Sequence, residues 1–305
     1  MVSAMNRQSP PLVFHLPYQP PFDWQQFHGH FALRRLVGVE CLGDTHYRRS
    51  LRLNGRSGWM DIRPLADQPA LRLELHLNGE ADAEPLEAKV RKMFDLDSDP
   101  HGVAACLSAD PLLQPLLVAW PGLRLPCAFD PFEQAVRAIV GQQVTVKAAV
   151  TIVGRLVQRL GEPLENAVTD GPHRLFPTPR AIAEANLDGI GMPGKRVATL
   201  QRFAAAIAEG ALELHVEDGA EVLVKRLCEL PGIGPWTAEY VALRAFGEAD
   251  AFPAADLGLL KSPVWGEGGI TARELQKRAE NWRPWRAYAA VYLWQAYSQG
   301  SHIGG

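Results

Sequence analysis

Two features of this 305-residue chain combine residue types that can do chemistry. One is the run Leu230-Pro231-Gly232-Ile233-Gly234-Pro235-Trp236, and the other is an isolated acid, Asp256. A Gly-x-Gly bend followed by Pro at the first turn predicts a tight hairpin between two helices. Such a bend turns backbone N–H groups outward at a helix N-terminus, where a phosphate can bind. A carboxylate on the following loop would then be placed to act on the molecule that carries the phosphate.

Both features also have a purely structural interpretation. Pro-Gly-Ile-Gly occurs in ordinary helix–turn–helix connections, although apolar residues on both flanks favour a compact, packed hairpin here. Asp256 has apolar neighbours and no cation within four residues on either side, which is typical of a surface helix N-cap. The two roles of the acid are compatible, because a helix N-terminus orients a carboxylate as catalysis requires.

Aromatic residues are concentrated around these two features. They are Trp236, Tyr240, Trp282, Trp285, Tyr288, Tyr292, Trp294 and Tyr297. Most of them are expected in the core, since aromatic residues at helical spacing usually pack there. Three or four would be enough to line a pocket that stacks a flat ring.

Composition limits the class of protein without identifying it. The net charge of −3 argues against DNA binding by the electrostatics of the whole protein, so any such binding must be local. The four cysteines are scattered and form no CxxC pair, which argues against a zinc or iron–sulfur site. We find no apolar run near 18 residues and no signal peptide, and residues 1–21 are predicted to be a partly disordered lead-in.

The pattern of predicted elements changes after the first third of the chain. Residues 46–78 have the two-residue period of half-buried strands, and Asn54-Gly55 predicts a hairpin turn, although Gly58 favours a longer loop. Residues 84–94 change to a helical period. Helices then dominate from about 108 onward. The predicted helical segments are 129–160 (interrupted at 141–143), 179–186, 194–209, 221–229, 235–246 and 284–297. Thr271 with Glu274 is a capping-box signature for a further helix.

The run 230–236 with Asp256 resembles the helix-hairpin-helix DNA glycosylase superfamily, in which a Gly/Pro-rich loop precedes a catalytic Asp. Further runs are similar to the bacterial DNA-3-methyladenine glycosylase II (AlkA-type) enzymes, in order along nearly the whole chain. They are residues 20–24, 47–50, 94–96, 121–126, 132–143, 176–179, 191–196 and 282–286.

The resemblance implies an α+β fold. An N-terminal α/β domain with a small antiparallel sheet is expected over residues 12–107. Two mostly helical subdomains follow, one over 131–248 that contains the helix-hairpin-helix, and one formed by 108–130 and 249–300. The active-site cleft is expected between these two subdomains.

The resemblance also implies roles for individual residues. It implies excision of alkylated purines, such as 3-methyladenine and 7-methylguanine, from double-stranded DNA by base flipping and hydrolysis of the N-glycosidic bond, which leaves an abasic site. The implied assignments are Asp256 as catalytic acid, Trp236, Tyr240 and Trp294 as the base pocket, Gln143 as the wedge that fills the gap in the duplex, and Gly232, Ile233, Gly234 and Thr237 as the phosphate-binding hairpin. Some relatives have an aliphatic wedge, so the identity of this residue stays open. No cofactor is expected, apart from a structural Na⁺ or K⁺ on the backbone carbonyls of Leu230 and Ile233.

One residue bears on the reaction type. Relatives that also cut the strand carry a Lys in the hairpin as a Schiff-base nucleophile, and the matching position here is Trp236. We therefore expect a monofunctional enzyme without lyase activity. The expected partner is damaged double-stranded DNA, with no membrane and no obligate protein partner, and the protein is expected to be a monomer in the bacterial cytoplasm, associated with the nucleoid through DNA.

Three rival functions remain open at this point. One is a glycosylase for oxidised or deaminated bases, which would need hydrogen-bonding groups in its pocket. Another is a non-catalytic helix-hairpin-helix module that uses the hairpin only to bind DNA. The weakest is a transcriptional regulator, for which we expect no room ahead of residue 12.

Overall fold

A computed structural model describes residues 10–77 and 84–301 of the chain. The strands are β1 (Leu12–Pro17), β2 (Glu40–Leu42), β3 (Tyr47–Leu53), β4 (Arg56–Pro64) and β5 (Ala70–Leu77). The helices are α1 (Trp24–Arg34), α2 (Glu84–Met93), α3 (Pro100–Leu107), α4 (Gln114–Ala119), α5 (Pro131–Val140), α6 (Val146–Leu160), α7 (Pro179–Glu184), α8 (Gly194–Ala208), α9 (Ala220–Cys228), α10 (Pro235–Phe246), α11 (Leu257–Leu260), α12 (Ala272–Ala279) and α13 (Arg286–Ser301). Single 3₁₀ turns cover Pro263–Trp265 and Glu280–Trp282.

The strands form one antiparallel sheet in the order β1-β5-β4-β3-β2, and helical segments make up most of the chain after it. The predicted α+β fold class is therefore confirmed. The expectation of a long loop at Gly58 is wrong, because β3 and β4 are joined by the two residues Asn54 and Gly55, both at positive φ. Gly58 instead lies within β4, where an added Cβ would clash with the carbonyl oxygen of His76.

The lead-in predicted over residues 1–21 is wrong in its second half. Residues 12–17 form the edge strand β1, which pairs with β5 from Leu12 opposite Leu75 to Pro17 opposite Ala70. Burial explains this, since Leu16 is fully buried against the sheet core. Residues 1–9 lie outside the described part of the chain.

The helical region follows the predicted segments closely. The predicted 129–160 segment divides into α5 and α6 at Gly141–Thr145, where Thr145 caps α6 through a bond from the Ala148 N–H. The capping box of Thr271 with Glu274 is present at the start of α12. The last helix begins at Arg286, two residues after the predicted Pro284.

Three large hydrophobic clusters form most of the core of the described residues, and a small fourth one contains Trp59, Leu164 and Leu175. The first joins the sheet to α1 and α2, and includes Phe27, Phe94 and Met60. The second lies among α5, α6, α8, α9 and α10. The third joins α3, the 120–127 connector and α13. The predicted domain boundaries remain a prediction, although Val103 and Leu107 of α3 pack in this third cluster rather than against the sheet.

A buried charge network connects the sheet to the helices. Arg49 of β3 donates to Glu133 of α5 at 2.7 Å, and both side chains are almost fully buried. Arg137, one turn later on α5, binds both Glu133 and Glu40. Because a buried charge without a partner is costly, these paired groups fix the sheet on α5.

No helix within the described residues is both long and apolar enough to cross a lipid bilayer.

Candidate active site

The glycine-rich bend between α9 and α10 is the predicted hairpin. Gly232 has a φ of +95°, in the left-handed region, and an added Cβ would clash with Oγ1 of Thr199 on α8. Ile233 is buried in the second core cluster, and Gly234 is the N-cap of α10. The bend therefore packs tightly on α8 while both of its glycines stay exposed.

Three amide groups at the start of α10 are left unpaired. In the part of the chain that the structure describes, the N–H groups of Gly234, Trp236 and Thr237 have no hydrogen-bond acceptor. These groups carry the positive end of the helix dipole, so an anion is stabilised there. The side chain of Thr237 does not join them, because it is buried and its hydroxyl accepts a bond from Gln142.

Side chains hold the carbonyl groups on the other side of the bend. Thr199 and Arg202 both donate to the carbonyl of Pro231, each at 3.2 Å. Gln142 Nε2 donates to the carbonyl of Gly232 at 3.0 Å and to the hydroxyl of Thr237, also at 3.0 Å. The Gln142 side chain thereby ties the α5–α6 loop to the hairpin.

The α5–α6 loop, residues 141–145, is termed the wedge loop below. Gln143 is exposed and adopts a φ of +56°, which a non-glycine residue adopts only under constraint. The constraint is visible at its neighbour Gln142, whose two bonds fix the loop. Sequence reasoning singled out Gln143 and missed Gln142, for which the only signal was a polar side chain next to the predicted break in the helix.

Asp256 lies where the chain turns into α11. Its Oδ1 accepts bonds from the N–H groups of Gly258 and Leu259, at 2.9 and 3.2 Å, so the acid is a helix N-cap. The loop before it is tied to α10, because Glu239 accepts a bond from the Phe252 N–H at 3.1 Å. Burial raises the pKa of Glu239 above its ordinary value.

The indoles of two tryptophans point at the same carboxylate. Trp236 Nε1 donates to Oδ2 of Asp256 at 3.1 Å, and Trp294 Nε1 donates to Oδ1 at 2.7 Å. Tyr240 lies between them, stacked on Trp236 with ring centroids 5.5 Å apart and edge-on to Trp294 at 6.1 Å. The three rings are termed the aromatic slot below, and all three residues are partly exposed.

A buried cation lies at the inner end of the slot. The guanidinium carbon of Arg244 is 4.6 Å from the ring centroid of Trp294 and 5.9 Å from that of Tyr240. Its Nη1 donates to the carbonyl of Pro126 at 3.0 Å. Burial lowers the pKa of Arg244. Sequence reasoning missed this residue, although it is one helical turn beyond Tyr240 on the same face of α10.

The other aromatic residues of the C-terminal third mostly belong to the core. Trp282, Tyr288 and Tyr292 are buried in the third cluster. The structure therefore brings together Asp256 and the three predicted slot residues. One of them, Trp236, lies in the first turn of α10, directly after the hairpin. Among the described residues we find no cluster of His, Cys, Asp and Glu that could hold a metal ion.

Comparisons with known proteins cover most of the chain. Residues 13–130 match the family model of the AlkA N-terminal domain, and residues 136–284 match that of the HhH-GPD superfamily base excision DNA repair proteins. DNA-3-methyladenine glycosylase 2 of Escherichia coli is 38% identical, over 94% of this chain and 98% of that protein.

Two further similarities differ in extent. The probable bifunctional transcriptional activator/DNA repair enzyme AlkA of Mycobacterium tuberculosis is 37% identical over 92% of this chain, which spans only 56% of that relative. Among solved structures, a 3-methyladenine DNA-glycosylase from Archaeoglobus fulgidus superimposes with a TM-score of 0.78 at 24% identity, over 94% of this chain and 98% of that one. At that identity the likeness supports the fold alone.

Proposed function

The chain belongs to the HhH-GPD superfamily of base excision DNA repair proteins, and on that basis we propose that it is a monofunctional DNA glycosylase for alkylated purines. Its reaction is hydrolysis of the N-glycosidic bond of a flipped 3-methyladenine or 7-methylguanine nucleotide in double-stranded DNA, which leaves an abasic site. One observation carries the proposal, namely that the Asp256 carboxylate is held by the indoles of both tryptophans in the aromatic slot.

Strand binding begins at the hairpin. A backbone phosphate accepts bonds from the unpaired N–H groups of Gly234, Trp236 and Thr237 at the start of α10. Gly232 and Ile233 give the bend its shape, the first by its positive φ and the second by burial. This contact is independent of sequence, so it positions the duplex and leaves selection to the slot.

Base selection follows from the chemistry of the slot. A purine methylated on a ring nitrogen is cationic, and a cation stacked on Trp or Tyr gains about 0.5–2 kcal/mol. The slot is almost wholly aromatic, so it favours alkylated bases over oxidised or deaminated bases, which need hydrogen-bond partners for recognition. Flipping costs a few kcal/mol. In the proposed mechanism Gln143, which is exposed on the wedge loop, fills the gap by hydrogen bonding to the orphaned base.

Asp256 acts when the base leaves. Departure of the base gives the sugar oxocarbenium character, and a carboxylate beside the anomeric carbon stabilises that charge. The same carboxylate can orient or deprotonate the attacking water. Four N–H donors fix its two oxygens, so little reorganisation is needed at the moment of reaction.

Two finer features belong to the proposal. Trp236 occupies the hairpin position of the lyase lysine and donates to Asp256, so this position offers no amine for a Schiff base.

A structural Na⁺ or K⁺ fits the carbonyls of Leu230 and Ile233. Within the described residues the Ile233 carbonyl accepts no backbone N–H, and that of Leu230 accepts one, from Ile233 at 3.0 Å, which leaves a lone pair. Neighbouring carbonyls are already held by side chains. The protein works as a monomer, without an obligate partner, on nucleoid DNA in the bacterial cytoplasm.

The test compares Asp256→Asn with the wild type on methylated duplex DNA, with chromatography of the released bases. We expect the wild type to free methylated purines and the variant to be slower by at least about a hundredfold. Asp250→Asn is the matched control, since Asp250 lies on the same loop but pairs with Arg286 instead of the slot. Equal release by wild type and Asp256→Asn would remove the acid from the mechanism, and no release by the wild type would leave the non-catalytic DNA-binding module. Strand cleavage with borohydride trapping would contradict the monofunctional assignment.

A further inference from the structure

The stretch of chain that carries Asp256 has little backbone hydrogen bonding to hold it in place. Residues 252–256, termed the acid loop below, lead into α11. The N–H of Ala254 donates to the carbonyl of Phe252 at 2.9 Å, and that of Asp256 donates to the carbonyl of Pro253 at 2.8 Å. Both bonds close turns inside the loop, so they pass the position of Phe252 on to Asp256 without attaching either residue to the rest of the protein.

One side chain attaches this loop to a helix. Oε2 of Glu239, on α10, accepts a bond from the Phe252 N–H at 3.1 Å. Within the described residues, it is the one hydrogen bond that links the backbone of residues 252–255 to another element. The indole of Trp236, three residues earlier on α10, donates to Asp256 at the far end of the loop. The same helix therefore holds the acid loop at its first and at its last residue.

The burial of Phe252 does not replace this bond. Its ring is 3% exposed and lies edge-on to Trp282, with ring centroids 5.8 Å apart, so the side chain is anchored in the third core cluster. Apolar contacts are non-directional, so they fix where the residue lies but leave the direction of its peptide group to hydrogen bonding. Glu239 sets that direction at the Phe252 N–H, and the two turns carry it to the acid.

The other bonds of Asp256 leave this task open. The N–H groups of Gly258 and Leu259 belong to α11, which follows the acid directly, so they fix the carboxylate relative to α11. Its position relative to α10, which carries Trp236 and Tyr240, depends on the acid loop and on the bond from the Trp236 indole. The loop therefore needs an attachment to α10, and Glu239 supplies it.

The surroundings of Glu239 favour a role in hydrogen bonding over a role in ion pairing. Arg286 of α13 acts on Glu239 at longer range, but its ion pair is with Asp250. Burial raises the pKa of Glu239, and the bond from the Phe252 N–H and the charge of Arg286 act against that rise. A partly buried carboxylate without a close cation is unfavourable unless hydrogen bonds offset the cost, and the bond to Phe252 does so here.

We propose that Glu239 is a positioning residue, which sets where the Asp256 carboxylate lies beside the aromatic slot. It acts through the acid loop, and the chemistry of bond cleavage stays with Asp256. A misplacement of about 1 Å can cost about a hundredfold in rate, so even partial loss of this attachment has a measurable effect. This inference rests on the proposed glycosylase function and adds a residue to the same site.

The test measures excision, binding and flipping separately. Glu239→Met and Glu239→Ala remove the hydrogen-bond acceptor, whereas Glu239→Gln keeps one. Each is compared with the wild type in the saturating single-turnover rate of 7-methylguanine release, in the enzyme concentration that gives half of that rate, and in the fluorescence of a 2-aminopurine beside the lesion. We expect the two variants without an acceptor to lower the saturating rate about three- to tenfold with binding and flipping unchanged, and Glu239→Gln to stay within about twofold of the wild type.

The matched control is Asp23→Leu. Oδ1 of Asp23 also accepts one backbone N–H at 3.1 Å, that of Gln26 at the start of α1. Urea unfolding of each protein measures the stability that is lost with each bond. We expect Asp23→Leu and Glu239→Met to lose similar stability, and only Glu239→Met to lose excision rate.

The outcomes separate this inference from the proposed function. If the wild type releases no 7-methylguanine, the glycosylase function fails and this inference fails with it. If release depends on Asp256 but Glu239→Met and Glu239→Ala keep the wild-type rate, only the role of Glu239 is overturned. The same conclusion follows if Glu239→Gln loses as much as Glu239→Met, if binding and flipping fall together with the rate, or if Asp23→Leu slows excision as much, since Glu239 would then act by its charge or only on the stability of the fold.

Discussion

Replacing Gln142 with Ala tests whether the hairpin and the wedge loop act together. The substitution removes two hydrogen bonds of 3.0 Å, to the carbonyl of Gly232 and the hydroxyl of Thr237. Each such bond contributes about 0.5–1.5 kcal/mol net, so the loop loses roughly 1–3 kcal/mol of anchoring. Gln143 then no longer has to keep its constrained φ of +56°. If half of this energy holds the wedge in the flipped complex, kcat/KM falls roughly two- to twelvefold.

The assay combines urea unfolding, release of 7-methylguanine in single turnover, and fluorescence of a 2-aminopurine beside the lesion to follow flipping. The matched control is Gln201→Ala on α8, since Gln201 also donates two bonds from Nε2, to the carbonyls of Ala183 at 3.3 Å and Ala185 at 2.8 Å. We expect both variants to lose similar stability, and only Gln142→Ala to lose excision and flipping signal. If Gln142→Ala flips and excises like Gln201→Ala at equal stability, the coupling of hairpin and wedge is refuted.

Two further predictions concern stability. Gly232→Ala should lower the free energy of unfolding by about 2–4 kcal/mol and weaken DNA binding, because it combines a positive φ with a clash against Thr199. The control Gly234→Ala has a φ of −100° and open space around the new Cβ, so its loss of stability should stay within about 1 kcal/mol. Equal losses of the two variants in urea unfolding would contradict the argument. Burial raises the pKa of Asp95 to about 6, although the carboxyl accepts bonds from Leu125 and Tyr288. Between about pH 4 and pH 6 the folded state therefore keeps a proton that the unfolded state has released. The stability that this group contributes is present below about pH 4 and is lost as pH rises through 6. Asp95→Asn should therefore remove a decline of roughly 3 kcal/mol between those pH values, measured as the difference in unfolding free energy between wild type and variant, and parallel pH profiles would show that Asp95 does not carry it.

The sequence predicted those parts of the fold that depend on local chemistry. Gly-x-Gly followed by Pro235 specifies a hairpin, Thr271 with Glu274 specifies a helix start, and both are present. Asp256 was predicted to be an N-cap or a catalytic acid. The structure shows that it is an N-cap and that it lies beside the slot, and its catalytic role stays a proposal. These predictions succeeded because each depends on neighbours within one turn of chain.

The misses depend on distant contacts. The strand at residues 12–17 is formed by pairing with β5, some sixty residues later, and a run with Pro on both sides gave no local strand pattern. Gly58 was interpreted as a loop residue because nothing local shows the backbone of His76 approaching it. Gln142 and Arg244 were missed for the same reason. Gln142 matters because it binds the hairpin carbonyl of Gly232, and Arg244 matters because it lies against the ring of Trp294.

The ion pairs between β3 and α5 limit how far this protein can be shortened. Glu133 of α5 has its negative charge balanced by Arg49 from the sheet and by Arg137, and Arg137 in turn needs Glu40. A minimal fragment that starts at α5 would keep the slot and the hairpin but would lose Arg49 and Glu40, and the apolar and charged face of α5 would meet water without its counterpart. The sheet is therefore a structural requirement of the helical half, and a shortened enzyme would need α5 redesigned before its slot could be used.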